Sequence, residues 1–171
     1  LLGDLTQLLD APHEVLSEAP AACTTPSFGT VANYALDEAE SLEFGDFNGD
    51  GRLDMAAVSL GGTIMIRLGD GSGAFGPATT VPNASAGAVD LVLADLNRDG
   101  KLDIATIGSF NPITVAVLMG DGTGGFSAPV YHAVRGNKSI IVADFNGDGK
   151  ADIGTSGDSF NEVSILLGDG V

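Results

Sequence analysis

The 171 residues hold 23 acidic against seven basic side chains, a formal charge of −16, with 44% hydrophobic and 18% charged residues. That acidity argues against nucleic acid or anionic lipid as a partner, and the apolar content excludes a disordered chain. No apolar stretch nears the roughly 18 residues that a membrane span requires, so membrane insertion is not expected.

In chain order, Leu1-Leu2-Gly3-Asp4 comes first and returns unchanged at 166–169. With neither Met nor a charged leader head, this opening reads as a processed or excised piece of something longer. Residues 5–27 follow, with three Pro and the lone Cys23; Leu5, Leu8 and Leu9 fit one helical turn. A single Cys allows no internal disulfide, so any stapling must come from metal rather than sulfur. Cys23 reads as a free thiol or an intermolecular bridge. Phe28–Tyr34 then has the pattern of a strand.

From residue 46 the chain settles into a period. The phrase Asp-x-Asn-x-Asp-Gly-x-x-Asp occupies 46–54, 95–103 and 144–152, with first residues 49 apart each time. Oxygen side chains at alternate positions, with Gly at the sixth, are what a tight loop needs to wrap a hard cation such as Ca²⁺. Nine of the 23 acidic groups lie in these loops, and three bound Ca²⁺ would move the charge from −16 to −10. Three carboxylates in one small loop repel one another unless a divalent cation sits among them. An EF-hand reading requires an acidic twelfth residue, where this chain has Ala57, Thr106 and Thr155, and its flanks are strand-like rather than helical.

Each loop interrupts two apolar runs. Strand one leads in, as at Val89–Ala94, and strand two leads out at Leu53–Val58, Leu102–Ile107 and Ala151–Thr155. Strand three alternates through Ile64 and Ile66, Val115 and Val117, and Val163 and Ile165, the period-2 signature. A Gly-Asp-Gly turn follows at 69–71, 120–122 and 168–170, with Asp70, Asp121 and Asp169 in turn-forming roles. Phe28, Phe75 and Phe126 read as packing anchors. Strand four carries Pro77 or Pro129, which belongs on an edge because Pro cannot donate to a ladder. Four-stranded sheets stacked face to face describe propeller blades, here about 3.25 of them. The expected division is a partial blade at 1–40, with an insertion of about 19 residues in its hairpin (roughly 5–27), blades at 41–88 and 89–137, and an incomplete blade at 138–171. Closed propellers have roughly four to eight blades, so the remaining blades are expected from the parent chain or from other copies.

These residues resemble the FG-GAP/VCBS repeat family, the calcium-binding blades of integrin α-subunit propellers and of many bacterial surface and secreted proteins. The resemblance rests on the three Asp loops in phase and on the Leu-Gly-Asp-Gly-x-Gly-x-Phe turns, which look bacterial in type. It covers residues 28–171 and leaves the insertion out. It implies an all-β propeller with about three Ca²⁺, one in each loop. Asp46, Asn48, Asp50 and Asp54 would supply side-chain oxygens and Arg52 its carbonyl. Asp95, Asn97, Asp99 and Asp103 with the Lys101 carbonyl repeat the set, as do Asp144, Asn146, Asp148 and Asp152 with the Lys150 carbonyl.

His13 and His132 stand apart from any carboxylate or Ser in catalytic spacing, and the clustered carboxylates come as ligands rather than as an acid and base in contrasting environments. The Asn83-Ala-Ser85 and Asn137-Lys-Ser139 triplets match glycosylation acceptors. The expectation is an extracellular or cell-surface, non-catalytic module for adhesion, recognition or scaffolding, with a protein or carbohydrate ligand. The alternatives are an accessory domain of a secreted polysaccharide-active enzyme or lectin, and a self-assembling structural subunit. The 5–27 insertion is the candidate protein-specific contact.

Overall fold

A computed structural model describes residues 29, 31–81, 87–157 and 161–170. The first strand at 1–4, the 5–27 insertion with His13 and Cys23, Phe28 and the Asn83 triplet lie outside the described residues. Asn33–Val171 clusters as one compact unit, apart from Leu1–Ala32.

Every element among the described residues is a β-strand. The first sheet is β1 (Ala39–Gly45), β2 (Asp54–Ser59), β3 (Ile64–Arg67) and β4 (Thr79–Val81). The second is β5 (Ala88–Ala94), β6 (Asp103–Gly108), β7 (Thr114–Leu118) and β8 (Val130–Ala133). The third holds β9 (Ser139–Ala143), β10 (Asp152–Ser156) and β11 (Val163–Leu166). Within each sheet the strands lie in chain order and all pairs are antiparallel. The all-β, blade-like architecture expected from the repeat is the one observed. Pro77 and Pro129 fall just ahead of β4 and β8, where no ladder needs their missing N–H.

Side chains alternate across a strand, so successive residues of one strand reach two different sheets. Ala56, Val58, Ile64 and Ile66 of the first sheet pack on Leu91, Ile104, Ala116 and Leu118 of the second. The next residues along, Ala105, Ile107, Val115 and Val117, pack on Ile140 and Ile153 of the third. Strands β2 and β6 are therefore buried along their whole length. Each fully buried Ile or Leu there contributes about 1.5–3 kcal/mol.

The two outer faces differ from these interiors. Phe145, Val163, Ile165 and Leu167 occupy the repeat positions of Phe47, Ile64, Ile66 and Leu68. Ile66 is 2% exposed against 47% for Ile165, and Phe47 3% against 44% for Phe145. On the far side of the first sheet, Leu42, Phe44 and Leu53 are likewise exposed. Tyr34 and Leu36 pack there on Met55, Ala57 and Met65. Residues 31–36 carry no ladder, contrary to the strand expected up to Tyr34; the strand at 1–4 expected to pair with it lies outside the described residues.

The innermost strands are stitched together by one acid. Ser41, Asp90 and Ser139 hold equivalent positions 49 residues apart, and Asp90 accepts from both serine hydroxyls, at 3.0 and 3.2 Å. It also accepts the Ile140 N–H at 3.1 Å. Both β1 and β5 shift register just before this position, at Ala39/Ser41 and Ala88/Asp90, the local kink that a bulge provides. Asp90→Ala removes a charged acceptor serving three sheets. A loss of about 2–4 kcal/mol is expected in urea unfolding, against less than about 0.5 kcal/mol for Glu40→Ala on exposed β1 surface.

Candidate metal loops

Each nine-residue loop joins strand one to strand two of its sheet, and its shape follows from short side chains that bond their own backbone. In the first loop Asp46 accepts N–H groups from Gly49, Asp50 and Gly51 at 2.8–3.1 Å. Asn48 accepts from Asp50 at 3.0 Å and Asp50 from Arg52 at 2.9 Å, so one Asx turn feeds the next. The third loop repeats this: Asp144 accepts from Gly147, Asp148 and Gly149, Asn146 from Asp148, and Asp148 from Lys150, all at 2.7–3.1 Å. In the second, Asp95 accepts from Asp99 and Gly100, Asn97 from Asp99, and Asp99 from Lys101, at 2.9–3.0 Å. The turns require left-handed backbone at the fourth and sixth positions. Glycine supplies it at Gly49, Gly51, Gly100, Gly147 and Gly149, and Arg98 adopts it at φ 64°.

At two of these carboxylates the bonds favour the charged form. The N–H of Gly51, with those of Gly49 and Asp50, keeps Asp46 below the ordinary carboxylate range. The Lys150 N–H, with the Asn146 amide and the Lys150 ammonium, does the same for Asp148. The ammonium of Lys101 lies 3.7 Å from Asp99 and that of Lys150 3.5 Å from Asp148, so each of these fifth-position carboxylates is partly neutralised from within its own loop.

The ninth residue is different in kind. Asp54, Asp103 and Asp152 are fully buried, and each spends both oxygens on main-chain N–H groups. Asp54 takes Phe47 at 2.9 Å and Gly69 at 2.8 Å. Asp103 takes Leu96 and Gly120 at 2.9 and 2.8 Å, and Asp152 takes Phe145 and Gly168 at 2.9 and 2.7 Å. This carboxylate clamps the loop to the Gly-Asp-Gly turn that follows strand three. The clamp was missed in the sequence, although one signal was there: a charged residue that opens a wholly buried strand must find partners.

The turn closes on the loop from the other side. A Cβ on Gly69, Gly120 or Gly168 would overlap the carbonyl oxygen of Leu53, Leu102 or Ala151. The aliphatic stems of Arg52, Lys101 and Lys150 lie over Gly71, Gly122 and Gly170. Asp70 and Asp121 are turn formers, as their spacing implied. Asp70 accepts the Ser72 hydroxyl and N–H at 2.6 and 2.8 Å, and Asp121 those of Thr123 at 2.8 and 2.7 Å. Phe75 and Phe126 anchor packing. Phe126 lies edge-on to Phe47 at 5.5 Å between the first two sheets, and Phe75 edge-on to Tyr34 at 5.6 Å.

Among the described residues no three His, Cys, Asp or Glu side chains are gathered closely enough to hold a metal by themselves. The loops add Asn and main-chain oxygens to their first- and fifth-position carboxylates. An all-oxygen set of this charge suits a hard cation and offers nothing to a soft one. Asp46, Asn48, Asp50 and the Arg52 carbonyl would hold such an ion with the lone pairs that their loop hydrogen bonds leave. Asp54 would have to use the lone pairs that its two N–H partners leave.

A family model described as FG-GAP-like repeat matches residues 46–106 and, a second time, 95–155. The two matches share the second loop and together cover well over half of the chain. No curated protein matches it.

Proposed function

The chain belongs to the FG-GAP-like repeat family, and from that premise we propose that it is a calcium-binding β-propeller module of the extracellular space or cell surface. It works without catalysis, as a surface for adhesion, recognition or scaffolding toward a protein or carbohydrate ligand. The observation that carries this reading is the loop geometry: three equivalent loops, each an unbroken chain of Asx turns around oxygen side chains. In each blade one Ca²⁺ would take the first-, third- and fifth-position side chains and the seventh-position carbonyl, with Asp54, Asp103 or Asp152 as the buried ninth ligand. The ion would displace the Lys101 and Lys150 ammonium groups from Asp99 and Asp148, and would tie each long loop to its sheet. Millimolar extracellular Ca²⁺ saturates even weak sites of this kind, which supports the expected location.

The open faces favour one further reading. Phe145, Val163 and Ile165 on the third sheet are exposed where their counterparts Phe47, Ile64 and Ile66 on the first are covered by a blade. We propose that further blades cover them, from the parent chain or from another copy. One experiment addresses both readings: elemental analysis and native mass of the chain, stripped with EDTA and then dialysed into millimolar Ca²⁺. The expected result is about three Ca²⁺ per chain. A monomer in that state places the missing blades in the parent, whereas a discrete calcium-dependent oligomer makes assembly part of the function. A chain that takes up no Ca²⁺ overturns the proposal.

A further inference from the structure

We propose that Arg98 sets the affinity of the third loop and makes it the weakest of the three cation sites; this rests on the calcium reading above. The fourth loop position is Gly49, Arg98 and Gly147 in turn, and the backbone there is left-handed each time, at φ 76°, 64° and 78°. Glycine adopts that conformation freely, and a long side chain adopts it at a cost, so the arginine has to be repaid by what it touches.

Its guanidinium leaves its own loop and donates from Nη2 to the carbonyl of Gly149, the sixth residue of the third loop. The stem of Arg98 passes Gly170 in the turn of the same sheet, 3.6 Å from where a Cβ would stand. Gly149 is thus held from two sides, because its N–H donates to Asp144 Oδ2 at 2.7 Å. The corresponding glycines, Gly51 and Gly100, have open space at the same point, whereas a Cβ on Gly149 would meet the arginine at 3.1 Å. The first and third loops have glycine in place of Arg98, so this bridge exists only between the second and third. It adds to the third loop a positive charge drawn from another blade, beyond the seventh-position cation (Arg52, Lys101 or Lys150) that every loop carries. A cation entering that loop meets this guanidinium in addition to the loop's own Lys150, weakening its binding by about threefold to tenfold at low salt.

The test is a calcium titration followed by the amide resonances of Gly51, Gly100 and Gly149, each reporting its own loop, in the unaltered chain and in Arg98→Gln, Arg98→Gly and Arg98→Lys. In the unaltered chain the Gly149 signal is expected to saturate last. Removing the charge, in the Gln and Gly variants, should tighten the third site by about threefold to tenfold at low salt, with the gain shrinking as salt is added. The Lys variant, which keeps the charge, should leave that site weak, and the first site should move less than twofold throughout. Without metal, Arg98→Gln should also shift the Gly149 and Gly170 amides, a readout of the bridge itself. Equal affinity at all three loops in the unaltered chain, or a third site unchanged or weakened in Arg98→Gln, overturns the proposal while leaving the calcium reading standing. A chain that binds no Ca²⁺ at any loop removes both.

Discussion

Replacing Asp103 with alanine is expected to lower the unfolding free energy by about 3–5 kcal/mol, with or without calcium. The carboxylate is fully buried, and its removal strands the N–H groups of Leu96 and Gly120 that it now accepts. Each buried donor left unpaired costs about 1–3 kcal/mol, and bonds to a charged acceptor lie at the stronger end. Asp103→Asn keeps the shape and one acceptor oxygen but turns an amide NH₂ toward the other donor, so a loss of about 1–3 kcal/mol is expected. The informative control is Asp99→Ala in the same loop. Asp99 accepts a single N–H, that of Lys101, within the exposed loop, and its loss should change metal-free stability by less than about 1 kcal/mol. Urea unfolding in EDTA and again in millimolar Ca²⁺ separates the two roles. Asp99→Ala should lose only the calcium-dependent part, and Asp103→Ala should be crippled in both conditions. Equal behaviour of the two variants in EDTA would mean that the ninth-position Asp is a ligand and not a clamp.

Chelation is expected to produce the other large effect. An ion that binds only the folded chain stabilises it by RT ln(1 + [L]/Kd), about 2.7 kcal/mol per site at a hundredfold excess over Kd. Three such sites, with a chain of this size melting about 2–4 °C lower per kcal/mol lost, put the drop on adding EDTA at roughly 20 °C. Differential scanning calorimetry in Ca²⁺ and in EDTA measures it. The clamps, the interior apolar faces and the Asp90 bridge contain no metal, so the chelated chain should still melt cooperatively. A melt that EDTA leaves unchanged, together with no metal by elemental analysis, would sink the calcium reading.

The two experiments together separate layers that a single alanine scan would blur. The loops carry two sets of acids that look alike in sequence. Asp46, Asp50 and their counterparts bond within the loop and are half-buried or exposed, whereas Asp54, Asp103 and Asp152 lie inside the sheet. The first set is expected to report on metal and the second on folding.

Much of this molecule is local chemistry and could be read without coordinates. The 49-residue period, the strand runs and the edge position of the strand just after the proline follow from period-2 alternation and from what Gly, Asp and Pro do to a backbone over a few residues. So do the turn roles of Asp70 and Asp121, because an Asx turn closes within four positions. The rest depends on residues far apart in the chain meeting in space. Asp103 reaches Gly120 across a strand pair, Asp90 reaches Ser41 and Ser139 only because three innermost strands converge, and Arg98 touches Gly149 only because two blades stand side by side. The nine-residue phrase names the ninth Asp without saying that the next hairpin is already bonded to it. Which acids stay within their own loop and which are buried against the next turn was decided by the tertiary structure, since burial and hydrogen-bond supply are properties of the packed sheets rather than of the phrase.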